Sequence, residues 1–155
     1  MIPEYTPEES KRIAQELIKH PKVLGAQDFL PGKIFLGSYI ATHGELVHDK
    51  RPLVLLLKIG SKRCIGLNLH WIAYTYRIFL VKKILEANRD RVLHNKPLIV
   101  TLEMLKPLLK NKVYRHCLRT YNLRGFMKTG VLVEPENLLD MARLNNAIFS
   151  KPVKL

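Results

Sequence analysis

Leu53-Val54-Leu55-Leu56-Leu57-Lys58-Ile59, then Gly60-Ser61-Lys62, then Arg63-Cys64-Ile65-Gly66-Leu67-Asn68-Leu69: the reading of this run decides the fold. Its two flanks are β-rich and the three residues between them make a tight turn, so it predicts an antiparallel hairpin. Lys33-Ile34-Phe35-Leu36-Gly37-Ser38-Tyr39-Ile40-Ala41 has the same character and predicts a third antiparallel strand, joined to the hairpin through a longer polar loop from Thr42 to Arg51. Gly37 and Gly66 fall mid-strand and predict bends or bulges, which a small sheet needs when it coils toward a barrel.

Outward from this core the period changes. On the N-terminal side, Thr6-Pro7-Glu8-Glu9 supplies a hydroxyl cap, a proline at the first helical position and a Glu three residues after the cap, and Pro21 stops the helix near His20. Its apolar face is Ile13, Ala14, Leu17 and Ile18, narrow enough to predict a helix that docks onto the domain or a partner. On the C-terminal side, Ile72, Tyr76, Phe79, Leu80, Ile84 and Ala87 form an apolar stripe at helical spacing, with Arg77, Lys82 and Glu86 on another side. Leu98-Ile99-Val100-Thr101 reads as a short strand. A helix from about Leu102 toward Arg119 follows, kinked at Pro107, with Leu105, Leu108, Leu109, Val113, Cys117 and Leu118 inward. Gly130 to Val133 reads as another strand, and Leu138, Leu139, Met141, Ala142 and Leu144 as a final helix.

The architecture expected is α+β: a small antiparallel SH3-like or partly open β-barrel or sheet, an N-terminal helix and two to three packed C-terminal helices. Its 155 residues fit one domain, with a docking helix at 1–22, the β core at 31–71, a basic helical part with short strands at 72–148 and a frayed tail at 149–155. A chain of this length buries enough surface to need no disulfide or metal. Cys64 and Cys117 lie far apart, form no Cys-x-x-Cys pair, and read as small core residues of a protein from a reducing compartment. The longest apolar run, Leu53 to Leu57, is too short for a membrane span, and the first residues lack the basic and apolar regions of a secretory signal.

The net charge is +13, and it is unevenly distributed. Residues 72–128 hold thirteen basic and three acidic side chains, whereas residues 1–32 sum to −1 and residues 129–155 to zero. Concentration in one third of the chain predicts a face that meets a polyanion. Lys82, Lys106, Lys110, Lys112, Arg115, Arg119, Arg124 and Lys128 are the candidate phosphate-binding residues; Lys112, Arg115 and Arg119 follow at i, i+3 and i+7 and so would project along one helix surface. No helix-turn-helix, zinc finger or RNP signature accompanies them, so binding is expected to ignore base sequence.

Catalytic density is low. His43, Glu45, His48 and Asp49 crowd one loop and carry the donor types of a transition-metal site, but the i, i+5 histidine spacing with Gly44 inside departs from a zincin, and a polar hairpin loop accounts for them. In Leu67-Asn68-Leu69-His70-Trp71, alternation sends Leu67, Leu69 and Trp71 to one face and Asn68 and His70 to the other, where the polar pair caps the next helix, satisfies backbone groups or meets a ligand. No Gly-rich phosphate loop, nucleophile elbow or paired-carboxylate arrangement appears, and no cofactor is implied.

Pro31-Gly32-Lys33-Ile34-Phe35 and Tyr39, then Asp49-x-x-Pro52-Leu53-Val54, then Gly66-Leu67-Asn68-Leu69-His70-Trp71 and Arg77 together resemble small virion proteins of tailed bacteriophages described as DNA end protectors. The resemblance covers residues 31–85; Trp71 stands where those proteins have Tyr, and Ile72-Ala73-Tyr74 where they have Leu-Pro-Pro. It implies a binding protein of the virion head, neck or tail junction, sitting on the termini of packaged linear DNA, with no catalytic residue to carry over.

Three functions follow as expectations. The first is sequence-independent binding of double-stranded DNA, at its ends if the resemblance holds. The second is a virion assembly or completion role in which the basic face meets other virion proteins. The third is a metal-dependent nuclease built on His43, Glu45, His48 and Asp49. The expected location is the virion or the host cytoplasm; the oligomeric state is open.

Overall fold

The computed structural model describes residues 2–18, 30–37, 53–123, 130–133 and 137–145. Their centre is a sheet of five strands: β1 (Ile34–Gly37), β2 (Leu53–Ile59), β3 (Arg63–Asn68), β4 (Leu118–Asn122) and β5 (Gly130–Val133), in the order β4-β3-β2-β1-β5 with every neighbour antiparallel. The fold is therefore α+β with an open antiparallel sheet, whose hydrogen-bonded ladder ends at β4 and β5 among the described residues.

The β2–β3 hairpin forms as its residues dictate, closed by a bond from the Gly60 amide to the Arg63 carbonyl at 2.8 Å. Leu53, Leu55, Leu57 and Leu67 point to the main core, while Val54, Leu56, Cys64 and Tyr121 form a second cluster with Leu123. Burial on both faces explains why β2 is a continuous apolar run instead of an alternating one. The register slips between Leu56 and Lys58, opposite Gly66 and Ile65, so the expected bulge lies in β2 across from the glycine. A Cβ on Gly66 would stand 2.3 Å from Val54 Cγ1, so the glycine there makes room for packing. Gly32 has a different reason: its φ of +93° is open to glycine at little cost, and it turns the chain into β1 with its amide bonded to the Leu56 carbonyl at 2.7 Å.

Helices cover the main core. α1 (Pro7–Ile18) opens with a reciprocal capping box, the Thr6 amide donating to Glu9 Oε2 at 3.0 Å and the Glu9 amide to Thr6 Oγ1 at 3.2 Å. It docks through Ala14, Ile13 and the buried Ser10, whose hydroxyl accepts from the Asn145 amide at 2.8 Å. After a 3-10 turn at Leu69–Trp71 come α2 (Tyr74–Ala87) and α3 (Arg89–Leu93); then α4 (Leu102–Leu109), α5 (Lys112–Arg115) and, beyond β5, α6 (Leu138–Ala142), which packs on α2. α6 contributes Leu138, Met141 and Ala142 to the core, followed by Leu144, and Leu105 and Cys117 join it as expected.

Several expectations are corrected. α2 turns differently from its apolar stripe: Arg77 is inward and 0% exposed, alongside Ile78, Leu80, Val81 and Ile84, whereas Tyr76 and Phe79 face out. Arg77 is tolerated inside because its Nη1 donates to the Leu144 carbonyl at 2.8 Å and Nη2 lies 3.5 Å from Glu4 Oε1. Burial lowers its pKa, and the Glu4 carboxylate opposes that shift. Leu98–Thr101 is not a strand. Its extended backbone bonds to the Asn88 side chain, which donates to the Ile99 carbonyl at 3.0 Å and accepts from the Ile99 amide at 2.8 Å, taking the place of a sheet neighbour.

The helix expected from Leu102 to Arg119 is also absent as one unit. Pro107 lacks the amide that would continue the ladder, α4 stops at Leu109, and Asn111 starts α5 by accepting from the Val113 amide at 3.0 Å. Leu118 then begins β4. The tail at 149–155 lies outside the described residues.

Candidate nucleic-acid interface

The break in the helix redistributes the candidate cations. Lys106 sits in the last turn of α4 with its ammonium 2.8 Å from Glu103 Oε1; Lys110 caps that helix, and Lys112 and Arg115 lie on α5. All four are exposed, as is Lys82 on α2. Lys106 and Arg115, in the last turns of their helices, are favoured there by the partial negative charge of the unpaired carbonyls. Lys82, Lys110, Lys112 and Arg115 form no ion pair among the described residues.

Arg119 does not continue this helical row. It stands on β4, opposite Gly66, on the sheet face that carries Cys64 and Tyr121. There its guanidinium carbon lies 5.8 Å from the centroid of the Trp71 ring, within cation–π range.

Trp71 reaches that position because strand alternation stops early. β3 ends at Asn68, and the 3-10 turn of Leu69–Trp71 buries both Leu69 and His70 while leaving Trp71 52% exposed, so the expected grouping of Trp71 with Leu67 and Leu69 is corrected. His70 fixes the turn: its Nδ1 accepts from the Leu53 amide at 3.2 Å, which places the ring proton of the neutral imidazole on Nε2. Asn68 is buried, and its amide donates to the Cys117 carbonyl at 2.8 Å, joining the end of β3 to the start of β4. His70 and Asn68 therefore hold the corner from which Trp71 projects.

Arg124 and Lys128 lie outside the described residues, as do His43, Glu45, His48 and Asp49. Among the described residues no three His, Cys, Asp or Glu side chains gather to hold a metal ion. The two thiols are kept protonated by burial, which pushes Cys64 up to about 11 and raises Cys117 as well. No helix of the described residues is long and apolar enough to cross a membrane.

Sequence reasoning missed two features. One is the Trp71–Arg119 pair, separated by 48 positions and joined only by the β3–β4 register. The other is the outward aromatic surface of α2, whose signal was an apolar pattern running nearly all round that helix. No protein-family model, curated protein or solved structure matches the chain.

Proposed function

We propose that the protein is a non-enzymatic binder of double-stranded DNA that contacts the phosphate backbone without reading sequence. The observation that supports this reading best is that Lys110 at the end of α4 and Lys112 and Arg115 on α5 are exposed and form no ion pair among the described residues, while on β4 the Arg119 guanidinium lies against an exposed tryptophan. Lysine and arginine side chains that displace condensed counterions supply sequence-independent affinity, and an exposed aromatic ring can stack on a base face only where a duplex ends. The resemblance over residues 31–85 supports a place for this activity at the ends of packaged linear DNA in a bacteriophage virion.

Competition between a short blunt-ended duplex and a covalently closed circle, at low and physiological salt, tests the proposal. Steep salt dependence with preference for ends is expected. Replacing Lys110, Arg115 and Arg119 together by Glu should cut affinity and flatten the salt slope by about three units. Unchanged binding by that folded variant would refute the assignment.

A further inference from the structure

Between α2 and the α4–α5 pair runs a groove with apolar walls. It consists of two open hollows of about 530 and 570 Å³ that share Phe79, Pro107 and Leu108. Phe79 is 47% exposed and Tyr76 40%, large apolar side chains left facing solvent because α2 spends Ile78, Leu80, Val81 and Ile84 on the core. The floor is fixed. Tyr114 is buried beneath it, donates its hydroxyl to the Tyr76 carbonyl at 2.8 Å, and meets the Tyr76 ring edge-on at 6.0 Å. That hydrogen bond ties α5 to α2 and fixes the spacing of the two walls at this end of the groove.

The helices that make the walls carry an excess of positive charge. Lys83 and Glu86 line one hollow and pair with each other at 3.8 Å; elsewhere on the same helices and their ends Lys82, Lys106, Lys110 and Lys112 are exposed, with Glu103 paired to Lys106 at 2.8 Å as their acidic neighbour. A second copy of this chain would bring +13 toward these helices, so like charge disfavours it. A duplex would satisfy the lysines but has no apolar side chain to seat in the hollows. We infer that the groove docks an acidic amphipathic segment of a partner protein, two bulky apolar side chains one helical turn apart filling the two hollows and flanking Asp or Glu meeting the lysines.

Selection of random peptides of about 12 residues on the immobilised full chain tests this. Selected peptides should carry net negative charge and paired apolar anchors. Their synthetic, fluorescently labelled forms should bind the Phe79→Ser chain at least about tenfold more weakly, while duplex DNA affinity stays within about twofold. Phe79 is half exposed, so that variant should keep the wild-type melting profile; Lys83→Glu with Lys110→Glu, which leaves the apolar walls intact, should weaken the peptides by a similar factor. Neutral or basic selected peptides, or peptides that bind Phe79→Ser unchanged, would overturn the inference. So would an oligothymidine of similar length whose affinity falls tenfold in Phe79→Ser, or a dimer in sedimentation that this substitution dissociates.

Discussion

The Arg119 guanidinium lies over the ring of Trp71 at 5.8 Å, a contact between an edge strand and the turn that ends its neighbour. Trp71 is the single tryptophan of the chain, so its fluorescence reports on this corner alone. The emission should be that of a water-exposed indole, quenched by iodide, and should change on adding duplex DNA. Arg119→Ala should keep the exposed spectrum and weaken the DNA response. A Trp71 signal indifferent to saturating DNA would remove this corner from the interface.

Removing the buried cation should damage the fold. Arg77→Ala leaves the Leu144 carbonyl and Glu4 without their partner and a cavity in the core, and should cost about 3–5 kcal/mol in urea unfolding. Glu4→Gln, at the more exposed end of the pair, keeps an oxygen that can accept from Arg77 Nη2 and should cost less than Arg77→Ala. Equal losses for the two variants would contradict the geometry.

Gly66→Ala should destabilise the protein by about 1–3 kcal/mol, because the added methyl overlaps Val54 Cγ1 and the Leu55 carbonyl is only 3.2 Å away. Adding Val54→Ala should recover part of that loss. A double mutant no more stable than the sum of its single losses would place the strain elsewhere.

Asn88→Ala removes the amide that ties α2 to the extended 98–100 segment, three hydrogen bonds in all. The expected cost is about 2–3 kcal/mol, with faster hydrogen exchange at the Ile99 amide. Unaltered exchange there would show that the segment is held by packing alone.

Alkaline pH should unfold the protein in a defined window. Burial pushes the Cys64 thiol from 9.0 to about 11 and, with Tyr76 adding to it, the Tyr114 hydroxyl from 10.0 to about 12. Both groups stay protonated in the folded chain and ionise earlier in the unfolded one, so their contribution is complete below pH 9 and declines as pH rises toward 12. A decline of about 2–3 kcal/mol for each group is expected, and Tyr114→Phe should flatten its upper part. Constant stability from pH 8 to pH 12 would disprove it.

Local chemistry was readable from the residues and nonlocal contacts were not. The Thr6–Glu9 capping box and the β2–β3 hairpin depend on neighbours within a few positions, and both form as their sequences require. Arg77 misled because a charged side chain at helical spacing normally faces water; here a carbonyl more than sixty residues away accepts a hydrogen bond from it. Leu98–Thr101 has strand composition, yet an asparagine side chain takes the role of the adjacent strand. Of the candidate cations, Lys106, Lys112 and Arg115 lie on helices, but on two separate ones with Lys110 capping the first, and Arg119 lies on β4, since Asn111 starts a new short helix that ends at Arg115.

The place of β5 beside β1 bears on how the chain reaches its native state. Ile34 pairs with Val133 and Phe35 with Leu132, residues separated by about a hundred positions, whereas β2 and β3 meet across a three-residue turn. During synthesis the hairpin can close at once, but β1 must wait for its outer neighbour until most of the polypeptide has left the ribosome. Until then its outer row of amides and carbonyls is a ready template for strands of other chains, so aggregation in the cell should be most sensitive to substitutions that delay β5.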